Sequence, residues 1–363
     1  MPLDALCLSG VVHELQNALS GAKIDKIYQP GRDEVVLALR APAGNVKLLL
    51  SANPSHPRAH LTQISRENPD KPPMFCMLLR KHLSGARLLE LVQPPMERVV
   101  DLRLEALDEL GDRVERRLVL EAMGRHSNLI LLDGEGRIMD CLRRVDSDMS
   151  ARRQVLPGLF YRLPPAQEKL DPSSLDRAAL ESSLAAAPEE SQADKWLLDT
   201  FGGLSPLICR ELAFRAGGAT DARLHQMGEG GRSRLLDELE GLLRSVQENS
   251  FTPVMLEKEG HPSDFTFQPI SQYGPAVSCV PFPSFSALLD RFYEQRENAP
   301  AGPGPDPLRD QRPGPRRPQD RPSGAGAGRH PGPGAAAPVR GHHHLQSPCH
   351  GEGDVPADGS RLL

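Results

Sequence analysis

The chain has 363 residues, 39% hydrophobic and 25% charged, with a formal net charge of −5; that length and mix suit a soluble globular protein with room for two cores. The negative balance excludes a global basic field, so any contact with nucleic acid must rest on a local cationic patch. The six cysteines (Cys7, Cys76, Cys141, Cys209, Cys279 and Cys349) form no CxxC pair, which excludes a disulfide frame or zinc finger as the organising device, and no apolar run approaches the ~20 residues that span a bilayer.

Asp4 is a good N-cap for a first helix, with Leu8, Val11, Val12, Leu15 and Leu19 on one face and Gly21 placed to end it. Asp4 also stands where a secretory signal would carry positive charge, so the chain is expected in the cytoplasm, with no membrane partner. Three strands are predicted over residues 22–29, 33–40 and 46–51, with Pro30-Gly31 and Ala43-Gly44-Asn45 as turns. Pro72-Pro73 announces a second helix, with Met74, Phe75, Met77 and Leu78 as its apolar face and Arg80, Lys81 and His82 as its basic end. A meander follows over 87–92, 99–107, 114–123, 128–132 and 137–143, with hairpin signals at Gly111-Asp112 and Asp133-Gly134. Residues 1–170 are therefore expected to be an α+β domain built on an antiparallel sheet.

Residues 171–248 read as helical, with Ser173, Ser191 and Ser205 as start signals. Within them Phe201-Gly202-Gly203-Leu204-Ser205-Pro206, followed by Leu207, Ile208, Glu211 and Leu212, has the pattern of a helix-hairpin-helix unit. There, glycines let backbone amides approach a phosphate at the next helix start. A plain turn between two helices is the alternative. Residues 249–298 form a return segment, with strands over 251–256 and 265–269 and a helix from Ser284 that includes Phe285, Leu288, Leu289 and Phe292.

From 299 to 363 the chain is mostly Gly, Pro, Ala and Arg, with a His342-His343-His344 triplet. Such a segment buries too little apolar surface to offset its ordering entropy, so disorder is expected. Back-translation adds a second reading. A one-base shift permits charged, helix-compatible peptides from Asp310 and from Gly341. The expectation is a frameshifted tail beginning near Ala299, with a low-complexity linker as the alternative.

Several motifs belong together: Leu3-Asp4 ahead of His13-Glu14-Leu15; Lys23-Ile24 and Lys26-Ile27-Tyr28-Gln29-Pro30; Lys47-Leu48-Leu49-Leu50-Ser51; PPMFCMLLRKHLSG over 72–85; EAMGRHSNLILLD over 121–133; and Leu156-Pro157-Gly158 with Tyr161 and Pro164-Pro165. Over roughly residues 1–298 they resemble the N-terminal region of the NFACT family. The resemblance implies a fold similar to the N-terminal part of formamidopyrimidine-DNA glycosylases, carrying a helix-hairpin-helix insertion. It also implies a role in ribosome quality control. The expected partners are tRNA (alanyl-tRNA in bacteria) and the large ribosomal subunit obstructed by peptidyl-tRNA, the outcome being mRNA-independent alanine tailing of the stalled chain. Family members continue into a coiled coil and an NFACT-R domain, before which this chain is expected to be truncated.

The family's tRNA-contact motif, an Asp-Arg pair, falls on Glu97-Arg98, and a second acid of that site falls on Asp4. Glu97 keeps the charge of the usual aspartate and reaches farther. Physically, Arg98 can serve a phosphate bidentately or stack on a base, while Glu97 orients it or accepts from a base amine. The plain alternatives are a surface ion pair beside a strand start for Glu97-Arg98 and a helix cap for Asp4. Arg80 and Lys81, with Arg125 and His126, are candidate RNA phosphate contacts; a solvated helix end and a tight turn explain them equally well.

No Ser/His/Asp, metal or Gly-rich phosphate constellation appears, so a non-enzyme without cofactor or metal is expected. A glycosylase would attack with Pro2 once Met1 is removed, but Leu3 occupies the place of its catalytic glutamate and no four-cysteine zinc finger follows. The remaining alternative is a fibronectin/fibrinogen-binding surface adhesin, as older descriptions of the family have it. The lack of a signal peptide disfavours that.

Overall fold

In the computed structural model, which describes residues 3–298, the chain opens with α1 (Ala5–Leu19). Asp4 caps it, accepting from the Cys7 amide at 2.7 Å and so satisfying one of the donors that a helix start leaves unpaired. Leu8, Val11, Val12, Leu15 and Leu19 are buried on its inner face, and Gly21 leaves the helix at φ +76°, the left-handed geometry that suits glycine. The expectations for residues 299–363, including the tail's reading frame and its histidines, lie outside the described residues. Among the described residues no helix is long and apolar enough to cross a membrane.

Next come β1 (Lys23–Gly31), β2 (Glu34–Ala41), β3 (Gly44–Ser51), β4 (Arg58–Leu61), α2 (Met74–Leu83), β5 (Arg87–Val92), β6 (Val99–Leu107), β7 (Arg113–Glu121), β8 (Asn128–Asp133) and β9 (Ile138–Cys141). The nine strands form one sheet in the order β4-β3-β2-β1-β5-β6-β7-β8-β9, every neighbouring pair antiparallel. It is the α+β, antiparallel β-rich class anticipated. Two meanders meet at β1 and β5, and α2 lies in the connection between β4 and β5.

Two turns fall elsewhere than the Pro/Gly signals indicate. Gly31 pairs with Glu34, so Pro30-Gly31 finishes β1 and the chain reverses at Arg32-Asp33. β1 meets β5 only at Lys23, and the register is irregular between Tyr28 and Gly31. A proline without an N–H therefore costs little ladder bonding there. Likewise Ala41 pairs with Gly44, leaving Pro42-Ala43 at the turn. In α2 the buried residues are Phe75, Cys76, Leu79 and Leu83, while Met74 and Met77 are 83% and 48% exposed. That corrects the expected apolar face. Residues 74–79 are apolar without a break, so periodicity does not choose a side and packing does.

The helical part comprises α3 (Arg177–Ala185), α4 (Ala193–Thr200), α5 (Pro206–Gly217) and α6 (Leu224–Gln247). Ser205 caps α5 as read. The α3 cap is Asp176 and the residue before α4 is Gln192, whereas Ser173 sits in a short turn capped by Asp171. A second sheet then forms from β10 (Val254–Lys258), β11 (His261–Thr266) and β12 (Ser278–Pro281), in the order β11-β10-β12, before α7 (Phe285–Asn298). β4 and β12 were not anticipated. β4 reads Arg-Ala-His-Leu, yet Arg58 and His60 are both buried, because α7 supplies Asp290 to meet the His60 Nε2 at 2.8 Å and the Tyr293 ring to lie 4.0 Å under the Arg58 guanidinium.

One apolar core runs from α1 and the large sheet through α5 and α6 to β10 and α7. α1 holds α7 in two ways. Its Glu14 carboxylate accepts from the amides of Phe285 and Ser286 at 2.6 and 2.9 Å, and Gly10 lets the Phe285 ring lie directly on the helix. A Cβ at residue 10 would stand 2.5 Å from that ring. Alanine is normally the better helix former by about 1 kcal/mol, but overpacking a buried ring costs about 1–3 kcal/mol. Gly10→Ala is therefore expected to lower stability, by up to about 2 kcal/mol in urea unfolding; an increase would show that the Phe285 contact is slack.

Candidate functional site

The loop between β5 and β6 brings Glu97 and Arg98 to the start of α1. The Gln93 side-chain amide donates to the carbonyls of Ala5 and Glu97, both at 2.8 Å, and so fixes the loop to the helix. From the other side the Ala5 amide donates to the Gly203 carbonyl at 3.2 Å, which draws in the Phe201-Gly202-Gly203-Leu204-Ser205-Pro206 segment. Gly203 has φ +81°, and a Cβ there would sit 2.6 Å from the Met96 sulfur. Only glycine allows this approach. Met96 itself holds φ +56°, an uncommon backbone state for a side chain with a Cβ, of the kind that clusters at functional sites.

The result is a cleft of about 420 Å³ lined by Asp4, Glu97, Arg98, Met123, Lys169 and the 202–206 segment, among others. The structure thus brings together all three residues expected to contact tRNA, and adds the glycine segment, read separately as a helix-hairpin-helix unit, as the facing wall. Lys169 donates to the Leu198 carbonyl at 2.6 Å, so its ammonium serves the wall. Among the described residues no cluster of three His, Cys, Asp or Glu could hold a metal.

Asp4 is only 6% exposed. Burial raises its carboxyl from the ordinary 3.8 to about 6, against the opposing pull of the Ser205 hydroxyl, the Cys7 amide and the Arg98 charge. Burial also pushes Glu97 up while Arg98 draws it down. Arg98 is lowered by burial and supported by Asp4 and Glu97. Both members of the Glu97-Arg98 pair are half-buried, which corrects the picture of an exposed pair beside a strand. Asp4 takes the helix-cap role weighed for it, and the same carboxylate faces Arg98.

The other candidates stay outside the cleft. Arg80 donates through Nε to the Ile27 carbonyl at 2.9 Å, and Lys81 pairs with Glu109 at 2.7 Å on the surface. Arg125 donates to His126 at 3.1 Å within the short turn Gly124–His126. Gln93, Met96 and Ser205 contribute to the site without having been read as part of it. Ser205 carried a signal, as a helix cap; Gln93 carried none, because its partners are backbone carbonyls, one of them, that of Ala5, 88 residues away.

Asp4 makes stability depend on pH. Its folded value lies above the unfolded one, so between pH 3.8 and about 6 the native state keeps a proton that the unfolded chain has lost. This contribution is full below that window and is lost as pH rises through it, on the order of 3 kcal/mol in all. Asparagine caps helices as well as aspartate and does not titrate. Urea midpoints should therefore show Asp4→Asn gaining on the parent from about pH 4 to about 6 and levelling off above that, and a difference independent of pH would mean that the buried charge carries no penalty.

The sequence pattern of the NFACT N-terminal and middle domains matches residues 4–301. The chain is 38% identical over 294 residues to a Bacillus subtilis protein named Rqc2 homolog RqcH, covering 81% of this chain and 49% of the relative. It is 25% identical over 315 residues to the mouse protein named ribosome quality control complex subunit NEMF, covering 80% of this chain and 28% of that one. Among solved structures, the Staphylococcus aureus fibrinogen binding protein is similar at a TM-score of 0.65 and 31% identity, covering 81% of this chain and 100% of that one. The chain spans about half the length of the bacterial relatives it matches. With a match over most of its length and a bacterial relative above a third identical, the chain belongs to the NFACT family and carries that family's N-terminal and middle domains.

Proposed function

We propose that this chain works in ribosome-associated quality control in the cytoplasm, binding tRNA and the obstructed large ribosomal subunit to support alanine tailing of stalled chains. The observation that carries the reading is the meeting of Asp4, Glu97 and Arg98 in one cleft, in a chain whose relatives bear ribosome quality control names. Two carboxylates and one guanidinium leave these side chains net negative at neutral pH, which disfavours phosphate. The arrangement suits a base edge instead. A carboxylate accepts from an exocyclic amine or ring N–H, and a guanidinium donates to a ring nitrogen or carbonyl. Unpaired bases of a tRNA loop present such edges.

Asp4 is buried and already accepts from Cys7, so Glu97 is the acid that touches RNA and Asp4 holds Arg98 in place. Lys81, Arg125 and His126 are the candidate phosphate contacts beyond the cleft, with Arg80 supporting the same helix end. Residues 1–170 form the NFACT-N domain in this reading, 171–248 the helix-hairpin-helix-like part and 249–298 the return segment. A second reading, a fibrinogen- or fibronectin-binding adhesin, rests on the name of the Staphylococcus aureus neighbour.

The two readings separate on Arg98. Lysine keeps the charge that faces Asp4 but lacks the planar fork. Arg98→Lys is expected to lose about tenfold in tRNA affinity, roughly 1.4 kcal/mol, with the melting temperature nearly unchanged. Arg98→Ala should weaken tRNA binding further and also destabilise, because it leaves a buried carboxylate without its counter-charge. Equal tRNA binding by the parent and Arg98→Lys, together with saturable binding to immobilised fibrinogen, would transfer the function to the adhesin reading.

A further inference from the structure

Segments 23–30 and 47–51 carry basic residues that the cleft does not use. The β1 register shifts between Ile24 and Lys26, and one extra residue resets the two-residue alternation of a strand. Ile24 and Ile27 are therefore both in the core, while Lys23, Asp25 and Lys26 are all exposed. Lys26 pairs with Ala38, and Ala38 with Lys47, so two lysines flank one small residue in a single row. Beside that row Lys23 pairs with both Arg40 and Arg87.

Five exposed cations thus lie on four adjacent strands, β3-β2-β1-β5, of a chain whose net charge is −5. Asp25 is engaged by Arg40 at 3.1 Å, and Glu105, opposite Arg87, has Arg113 at 3.5 Å. Lys26 and Lys47 have no ion-pair partner among the described residues. Like charges set directly opposite in a sheet are destabilising; Lys23 stands opposite Arg40 and Arg87, and Asp25 offsets part of that repulsion through Arg40. The surface is also hollow at this point. A depression of about 250 Å³ is lined by Lys26, Ala38, Arg40, Lys47 and the Arg40-bound Asp25, and bounded by Thr62 and Gln63.

We propose that this face binds the phosphodiester backbone of RNA, with Lys26 and Lys47 gripping a phosphate across Ala38 and with Lys23, Arg40 and Arg87 continuing the track. It shares no lining residue with the Asp4–Glu97–Arg98 cleft and complements it, because backbone contacts position an RNA while base contacts select it. The site rests on the proposed RNA-binding role only for the identity of the RNA.

The test measures binding of the full chain to deacylated tRNA, to purified large ribosomal subunits and to a short oligouridylate, over a range of salt concentrations. The proteins compared are the parent, Lys26→Ala/Lys47→Ala and Lys26→Arg/Lys47→Arg. Each phosphate that is no longer neutralised takes about 0.7 to 0.9 from the slope of log affinity against log salt. The alanine pair should lower that slope by about 0.7 to 0.9 with an unchanged melting curve, and the arginine pair should restore it. Weaker binding to tRNA, to large subunits or to both identifies which RNA the face holds. Weaker binding to oligouridylate, with no parent binding to tRNA or subunits, keeps this face and removes the quality-control reading. A slope unchanged for every RNA, or a parent that binds none, overturns the proposal.

Discussion

Asp4 occupies a position where three requirements meet on one carboxylate. It completes the amide bonding at the start of α1, takes the Ser205 hydroxyl from the helical part, and faces Arg98 from the β5–β6 loop. Because it is buried, the charge is costly, and that cost is offset only while all these partners are in place. The cleft is consequently a property of how α1 is seated. Gln93 and Gly203 fix the helix start from opposite sides, and Glu14 and Gly10 fix its body to α7. Moving α1 would disturb the sheet, the helical wall and the C-terminal helix together.

The elements were legible wherever a local rule acts alone. Asp4 capping α1, Ser205 capping α5 and the hairpins at Gly111-Asp112 and Asp133-Gly134 all follow from short-range geometry. What escaped was decided by distant partners. β4 contains Arg58 and His60, which no sequence pattern assigns to a core, and α7 makes their burial possible across more than two hundred residues. In α2 a continuous apolar run hid the choice between Met74–Met77 and Phe75–Leu79. At the site, the family pattern placed Asp4, Glu97 and Arg98 correctly in one neighbourhood, whereas the local sequence alone made Glu97-Arg98 look exposed. The pair is half-buried, in a loop whose Met96 packs against Gly203, far away in the chain.

Charge is distributed so that neither surface depends on the net value of −5. The cleft confines two acids and one cation in a partly dry space, where fields act over short distances and solvent screens weakly. The outer face of β3-β2-β1-β5 places its cations in water, where attraction to a polyanion is felt at longer range and falls with salt. A base edge needs close donors and acceptors; a phosphate backbone needs only positive potential. One domain can offer both because the β1 bulge turns Lys26 outward while keeping Ile24 and Ile27 in the core.

Glu97 in place of the aspartate usual in the family can be understood from the same arrangement. An extra methylene carries the carboxylate about 1.5 Å farther out, which would weaken a pair in which that acid alone neutralised the arginine. Here Arg98 also has Asp4 beneath it, so the guanidinium stays balanced whichever acid stands at 97. The longer side chain stays half-buried in the cleft lining, with its charge still drawn to Arg98. The buried acid sets where the arginine sits, and the half-exposed acid sets what the arginine's neighbour can reach. Lengthening the second therefore changes the reach of the site while leaving its anchor in place.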